Sequence, residues 1–133
     1  MAAIRGTNNA AEVAFRRRLW WLGLRYRLYA PDLPGKPDIV FRSAKVAVFV
    51  DGDFWHGRVL VERGESELRK QFRTKRREWW ISKIKRNVER DARVNELLRA
   101  GGWRVVRLWE KDVLRTSDRL AARVAAVVRA RSP

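Results

Sequence analysis

Lys45-Val46-Ala47-Val48-Phe49-Val50 limits the fold more than any other segment of the chain. It is apolar from its second residue onward, on both of its alternating sides, so it has no face to give to water. A short run of this kind belongs deep in a sheet that is covered on both faces. Asp38-Ile39-Val40-Phe41 precedes it as a second strand, with Arg42-Ser43-Ala44 as the turn, and the two read as a β-hairpin. Helical patterns elsewhere in the chain offer that cover. Thr7 or Asn8 caps a helix from about Ala10 to Leu22, stopped by Gly23. Val13, Leu19 and Leu22 give much of its apolar face, and Arg16, Arg17 and Arg18 form a solvated run. Leu24 to Tyr29 reads as a short strand and Pro31 to Pro37 as turn chemistry.

Gly57 to Arg76 is polar, charged and irregular in pattern, a long loop with one helical turn, and such loops are usually functional or mobile. Glu78 to Arg99 is helical, with Trp80, Ile84, Val88, Ala92 and Asn95 on one stripe and Ile81, Leu97 and Leu98 near it. Gly101-Gly102 ends that helix. Trp103 to Trp109 reads as a central strand, Asp112 to Leu114 as the start of a short helix, and Asp118 to Arg131 as a last amphipathic helix. The order predicts an α/β fold: a three-layer domain with a central mixed sheet flanked by helices. With 133 residues, 46% of them hydrophobic, residues 1–133 are expected to form a single domain around one core.

Charge narrows the function. There are 31 basic and 15 acidic residues, a net charge of +16. That excess on so small a chain points to a polyanionic partner, nucleic acid before an anionic membrane surface, with a plain basic or ribosome-associated protein as the alternative. The chain has no cysteine, which excludes disulfides and thiolate metal sites. The first residues, Met1-Ala2-Ala3-Ile4-Arg5, lack the apolar core of a secretory signal, and no apolar run approaches the roughly 20 residues that cross a bilayer. A cytoplasmic, nucleoid-associated protein is expected.

Three acidic residues stand apart from those that merely solvate a surface. Asp38 opens a buried strand after Pro37, and Asp51 closes the next one before Gly52. In a hairpin the start of one strand lies beside the end of the other, so the two carboxylates converge at one sheet edge. Mg²⁺ takes oxygen ligands of this kind together with substrate phosphate. Glu12 joins them if the first helix packs alongside. The plain alternative is that Asp38 caps a turn and Asp51 belongs to an ordinary Asp-Gly turn. His56, the only histidine, follows close on the acidic edge and is a candidate proton carrier near neutral pH. Phe54-Trp55 lies in a turn-rich stretch and Trp79-Trp80 beside Lys75, Arg76 and Arg77, so these aromatics suit stacking on bases as well as core packing. On an extended segment Phe54 and Trp55 cannot both face the same way.

Leu33-Pro34-Gly35-Lys36-Pro37-Asp38-Ile39-Val40, followed by Val48-Phe49-Val50-Asp51-Gly52-Asp53-Phe54-Trp55-His56-Gly57, resembles the very short patch repair (Vsr-type) endonucleases. So do Trp79-Trp80-Ile81-Ser82-Lys83-Ile84 with Asn87, Arg90 and Asp91, the strand from Gly102-Trp103 to Trp109-Glu110, and the opening from Ile4-Arg5-Gly6 to Glu12. The resemblance covers nearly the whole chain. It implies the restriction-endonuclease-like PD-(D/E)xK fold and a Mg²⁺-dependent enzyme, with Mn²⁺ as a substitute, that nicks one DNA strand at a T·G mismatch. By the same resemblance Asp38 is a metal-binding aspartate, Glu12 helps hold the metal and its water, and His56 lies near the scissile phosphate. Phe54, Trp55 and Trp80 match the aromatics that wedge into the duplex.

Two departures matter. Val50-Asp51 stands where the family has Thr-His; Val50 keeps only its backbone carbonyl for a metal, and Asp51 offers a carboxylate. Asp53, Arg58, Leu60 and Lys111 stand where the family pattern has cysteine and histidine ligands to a structural zinc, so no zinc is expected. The Gly57–Arg76 region must then be held another way or be mobile. The expected metal set is Asp38, Asp51, Val50 and Glu12, with His56 assisting proton transfer. Lys36, Lys83, Lys85 and Arg90 are expected to contact DNA phosphates. The expected partner is double-stranded DNA, met by a monomer, with repair or defence-system proteins as further candidates and no membrane. Two alternatives stand beside the mismatch nickase: a restriction or phage-defence nuclease with another DNA target, and an inactive DNA-binding module of the same fold.

Overall fold

The structure, a computed structural model, describes residues 10–131. The helix cap expected at Thr7 or Asn8 lies outside them. In chain order the described elements are α1 (Ala10–Trp21), β1 (Arg27–Leu28), β2 (Ile39–Phe41), β3 (Val46–Asp51), α2 (Arg58–Arg63), α3 (Glu65–Lys70), α4 (Arg77–Ala100), β4 (Arg104–Trp109), α5 (Glu110–Arg115) and α6 (Ser117–Arg131). The strands form one mixed sheet in the order β1-β2-β3-β4. β1 and β2, and β2 and β3, pair antiparallel; β3 and β4 pair parallel, Phe49 opposite Arg107 and Asp51 opposite Trp109.

The period of two in the strands sorts their side chains into two layers. Ile39, Phe41, Val46, Val48, Val106 and Leu108 pack against Phe15 and Leu19 of α1 and Leu120, Val124 and Val128 of α6. Val40, Ala47 and Phe49 face the other way, towards Leu98 of α4. β3 is thus covered on both faces, as its apolar run demands. β4 is an edge strand of the described sheet rather than a central one. The helices α5 and α6 satisfy its apolar side, and its other side is free to carry Arg107.

The first helix turns a different stripe inward from the one expected. Its buried residues are Glu12, Phe15 and Leu19, whereas Leu22 lies beyond the helix and is exposed. Phe15 is the larger apolar group, and burying it with Leu19 carries Glu12, one turn earlier, into the interior. The helix ends in a Schellman turn: Leu24 N–H donates to the Leu19 carbonyl and Gly23 N–H to that of Trp20, with Gly23 at φ 90°. The predicted strand Leu24–Tyr29 shortens to Arg27–Leu28.

Gly57–Arg76 is not a loop. It contains α2 and α3, each of 6 residues. Leu68 is buried with Ile81 and Ile84 of α4, and Val59, Leu60 and Phe72 pack around them. Arg58–Glu62 and Glu65–Arg69 pairs brace the two short helices. Charged residues hid four apolar anchors, Val59, Leu60, Leu68 and Phe72, spaced too irregularly for a periodic stripe. On α4 the buried set is Ile81, Ile84 and Leu98, with Trp80, Val88 and Asn95 half-buried and Ala92 and Leu97 exposed. No described helix is long and apolar enough to cross a membrane.

Candidate active site

β2 begins where β3 ends, and the buried polar groups gather there. Asp38 Oδ2 accepts a hydrogen bond from the Val50 N–H at 2.7 Å, while its Oδ1 accepts none from a described residue. Burial pushes the Asp38 carboxyl up to about 6; the charges of Glu12 and Asp51 push the same way, against the Val50 hydrogen bond and His56. Glu12 comes in from α1, almost wholly buried. Its Oε2 accepts from the Tyr29 hydroxyl at 2.6 Å and from Arg16 Nη1 at 3.4 Å. Burial and the Glu12 carboxylate together push the Tyr29 hydroxyl up to about 12, so it stays a donor.

Asp51 and His56 lie on the α4 side of the same strand end. Arg107 Nη1 donates to both Asp51 oxygens, at 3.1 and 3.0 Å, and its Nε donates to Asn95 Oδ1 at 2.7 Å. The guanidinium lies 4.0 Å over the Phe49 ring. Burial raises the Asp51 carboxyl above its ordinary value, and Arg107 and His56 only partly offset this. His56 Nδ1 is 2.6 Å from Asp91 Oδ2 and 3.8 Å from Asp51 Oδ1. A carboxylate only accepts, so the ring donates from Nδ1 and leaves Nε2 to exchange a proton with a substrate. Burial alone would lower the His56 pKa; the hydrogen bond to Asp91 and the charges of Asp51 and Asp91 outweigh it and raise it. Ligand atoms of Asp51, His56 and Asp91 all lie within 4.8 Å of one another, a group able to hold a metal ion.

The segment between Asp51 and α2 is a tight turn, not extended chain. His56 N–H donates to the Gly52 carbonyl at 3.1 Å, and Gly57 N–H to that of Phe54 at 3.1 Å. The Phe54 and Trp55 rings therefore do face together, with centroids 5.0 Å apart, and both reach Trp80, at 5.9 and 5.5 Å. Phe72 stacks on Trp80 and Trp79 meets it edge-on. Phe54 and Trp79 are exposed. Lys83 Nζ stands about equally far from the Trp55 and Trp79 rings, 6.0 and 5.9 Å. Lys36 and Arg90 are exposed, whereas Lys85 is ion-paired with Glu65 at 2.5 Å.

Gly57 seats this turn on α4. Its φ is 70°, and an added Cβ would lie 2.8 Å from both Ile84 Cγ2 and Val88 Cγ2. Gly57→Ala is therefore expected to cost about 1–3 kcal/mol, as overpacking does, in a urea unfolding curve.

Of the expected site residues, Asp51 and His56 come together with Asp91, while Asp38 lies where the charges of Glu12, Asp51 and His56 reach it and is bonded to the Val50 N–H rather than to its carbonyl. Tyr29, Asp91 and Arg107 were missed as working parts. Asp91 had a signal: it lies one helical turn from Asn87, which donates to the Trp55 carbonyl at 2.8 Å. Arg107 had another, a lone cation inside the apolar run Val105-Val106-Arg107-Leu108. Nothing local marked Tyr29. Of the four positions at which the family resemblance places zinc ligands, Asp53 accepts from Arg58 at 2.9 Å and from the Lys111 N–H at 3.0 Å. Leu60 packs in the apolar cluster instead.

A mixed sheet between helical layers, with buried carboxylates and a histidine at adjacent strand ends, is the restriction-endonuclease-like arrangement. Comparison with known proteins narrows this. The family model described as DNA mismatch endonuclease Vsr matches residues 1–61. The type II nicking enzyme V.NmeDIP of Neisseria meningitidis serogroup C is 43% identical over 118 residues, covering 89% of this chain and 76% of that protein. The type II nicking enzyme V.NaeI of Lentzea aerocolonigenes is 41% identical over 133 residues, covering 96% and 72%. DNA mismatch endonuclease Vsr of Escherichia coli K12 is 37% identical over 110 residues, covering 83% and 66%. The chain belongs to the Vsr endonuclease family.

Proposed function

We propose that this DNA endonuclease uses Mg²⁺ to nick one strand of duplex DNA at or near a T·G mismatch. The observation that carries the reading is Asp38: a half-buried carboxylate with one oxygen unspent, within reach of the charges of Glu12 and Asp51, in a chain of net charge +16. Negative charge gathered inside a basic protein favours a cation, and hard oxygen donors fit Mg²⁺. Asp38, Glu12, Asp51 and the Val50 carbonyl would hold it. When bound, the ion polarises the scissile phosphate and lowers the pKa of a water. The Val50 N–H fixes one Asp38 oxygen and leaves the other to be presented. Tyr29 and Arg16 hold Glu12 in place. Asp91 orients His56 so that Nε2 moves the proton at the reacting phosphate. Arg107 decides how much of the Asp51 charge reaches the site, since it already binds both oxygens.

Phe54, Trp55 and Trp80 would enter the base stack as one cluster, and Lys36, Lys83 and Arg90 would contact backbone phosphates. Lys85 is spent on Glu65, so its contribution is smaller. Double-stranded DNA is the partner, one chain suffices, and the cytoplasm is the place of action. A second reading, nicking at a different DNA target, is favoured by Asp53 and Arg58 beside Phe54, which stand where the family pattern has zinc ligands and pair with each other instead.

The test is cleavage of matched, T·G-mismatched and methylated duplexes in Mg²⁺, Mn²⁺ or EDTA. Nicking is expected with either metal, to be absent in EDTA, and to be concentrated on the T·G duplex. Equal cutting of a matched or methylated duplex transfers the reading to the second target class. Tight binding with no cut strand under any metal overturns the reaction itself.

A further inference from the structure

We infer that Arg58 is a positioning residue for the nicking reaction, the hub of an ion-pair knot that holds the Asp53–Gly57 turn, and with it His56, against the strand ends. The inference rests on the role proposed above for His56.

The knot closes the turn at both ends. Arg58 N–H donates to the Asp53 carbonyl at 2.9 Å, and Arg58 Nη1 donates to Asp53 Oδ2 at 2.9 Å. The other Asp53 oxygen, Oδ1, accepts from the Lys111 N–H at the start of α5, at 3.0 Å. The same guanidinium donates to Asp112 Oδ1 of α5 at 3.1 Å and, through Nε, to Glu62 Oε1 of α2 at 3.1 Å. It also lies 5.6 Å from the Trp109 ring centre. One planar fork thus ties β3's exit, α2 and α5 together. The three carboxylates raise the Arg58 pKa above its ordinary range, the Asp53 hydrogen bond most of all.

Isolated surface ion pairs contribute little, but here the Arg58 and Asp53 side chains are only 27% and 14% exposed and the pairs form a network. A lysine could supply the charge but not the fork. His56 lies inside the clamped turn, two residues from Arg58. Slackening the clamp displaces Nε2, and a displacement near 1 Å costs roughly up to a hundredfold in rate.

The experiment compares wild type, Arg58→Ala and Arg58→Lys in single-turnover nicking with Mg²⁺ and in binding to the same duplex. Each is also examined in an NMR spectrum at fixed pH. His56 is the only histidine, so one imidazole resonance reports its surroundings. Arg58→Ala is expected to lose roughly tenfold to a hundredfold in rate. It should keep duplex binding within about threefold, a change worth less than 1 kcal/mol. Its imidazole resonance should move towards that of free histidine, and Arg58→Lys should recover part of both changes. A wild-type rate or an unmoved resonance in a folded Arg58→Ala protein overturns the proposal. Should that variant not fold, Asp112→Asn decides: a slower rate with a moved resonance supports the clamp, and no change in either overturns it. If wild type nicks no duplex, the reaction proposed above is what fails, and the resonance still decides the role of Arg58.

Discussion

Asp38→Asn is expected to abolish nicking while making the metal-free protein more stable at pH 8. Loss of metal-borne charge stabilisation removes several kcal/mol from the transition state, or about three orders of magnitude in rate or more at 1.36 kcal/mol per decade. The stability effect has the opposite sign because the native site is under electrostatic stress. The Asp38 carboxyl is pushed from 3.8 up to about 6, by burial first. Below its unfolded value it is protonated in both states, and the advantage of the folded state is complete. Between the two values the unfolded chain has lost the proton and the folded chain retains it, so rising pH favours unfolding. Above about 6 both are ionised and that stability is gone. The loss is on the order of 2–3 kcal/mol. Asparagine stays neutral and still offers the Val50 N–H an acceptor. Urea unfolding in EDTA at pH 5 and pH 8 measures the difference, and Mg²⁺ should raise the melting temperature of the parent only. Undiminished metal-dependent nicking by the variant removes Asp38 from the mechanism.

Arg107→Ala is expected to destabilise the fold by about 3–5 kcal/mol, the cost of leaving one partner of a buried ion pair behind. Asp51 is 5% exposed and relies on Arg107 for hydrogen bonds to both oxygens. Without that cation its carboxyl, already raised by burial, rises further. The deficit is therefore largest at neutral and alkaline pH and shrinks in acid, where the carboxyl takes a proton. Denaturant curves at pH 5 and pH 8 test this. Replacing the pair together, Arg107→Met with Asp51→Leu, should recover most of the stability, because no charge is left unpaired. A loss below about 1 kcal/mol, the level of an exposed pair, would show that water reaches Asp51 freely.

Patterns that repeat along the chain were legible. The apolar run through Val50 required a covered strand, Asp38-Ile39-Val40-Phe41 its hairpin partner, and Gly23 and Gly101-Gly102 the ends of helices that supply the cover. From that hairpin alone the start of β2 had to meet the end of β3, which set Asp38 against Val50 and near Asp51. The motifs around these residues carried the family. Glu12 was legible only as a candidate, since its burial depends on which stripe of α1 turns inward.

The remainder depended on contacts between segments far apart in the chain. Asp91 finds His56 across 35 positions, and Arg107 finds Asp51 across 56. Arg58 finds Asp112 across 54. A periodic pattern reports which face of an element avoids water, because that preference acts residue by residue. It does not report which two charges are brought together, since that depends on the packing of the sheet against α4 and α5. Asp38 and Asp51 could be read from the sequence as candidate carboxylates; their partners, and so the direction in which their pKa values move, were set by the fold.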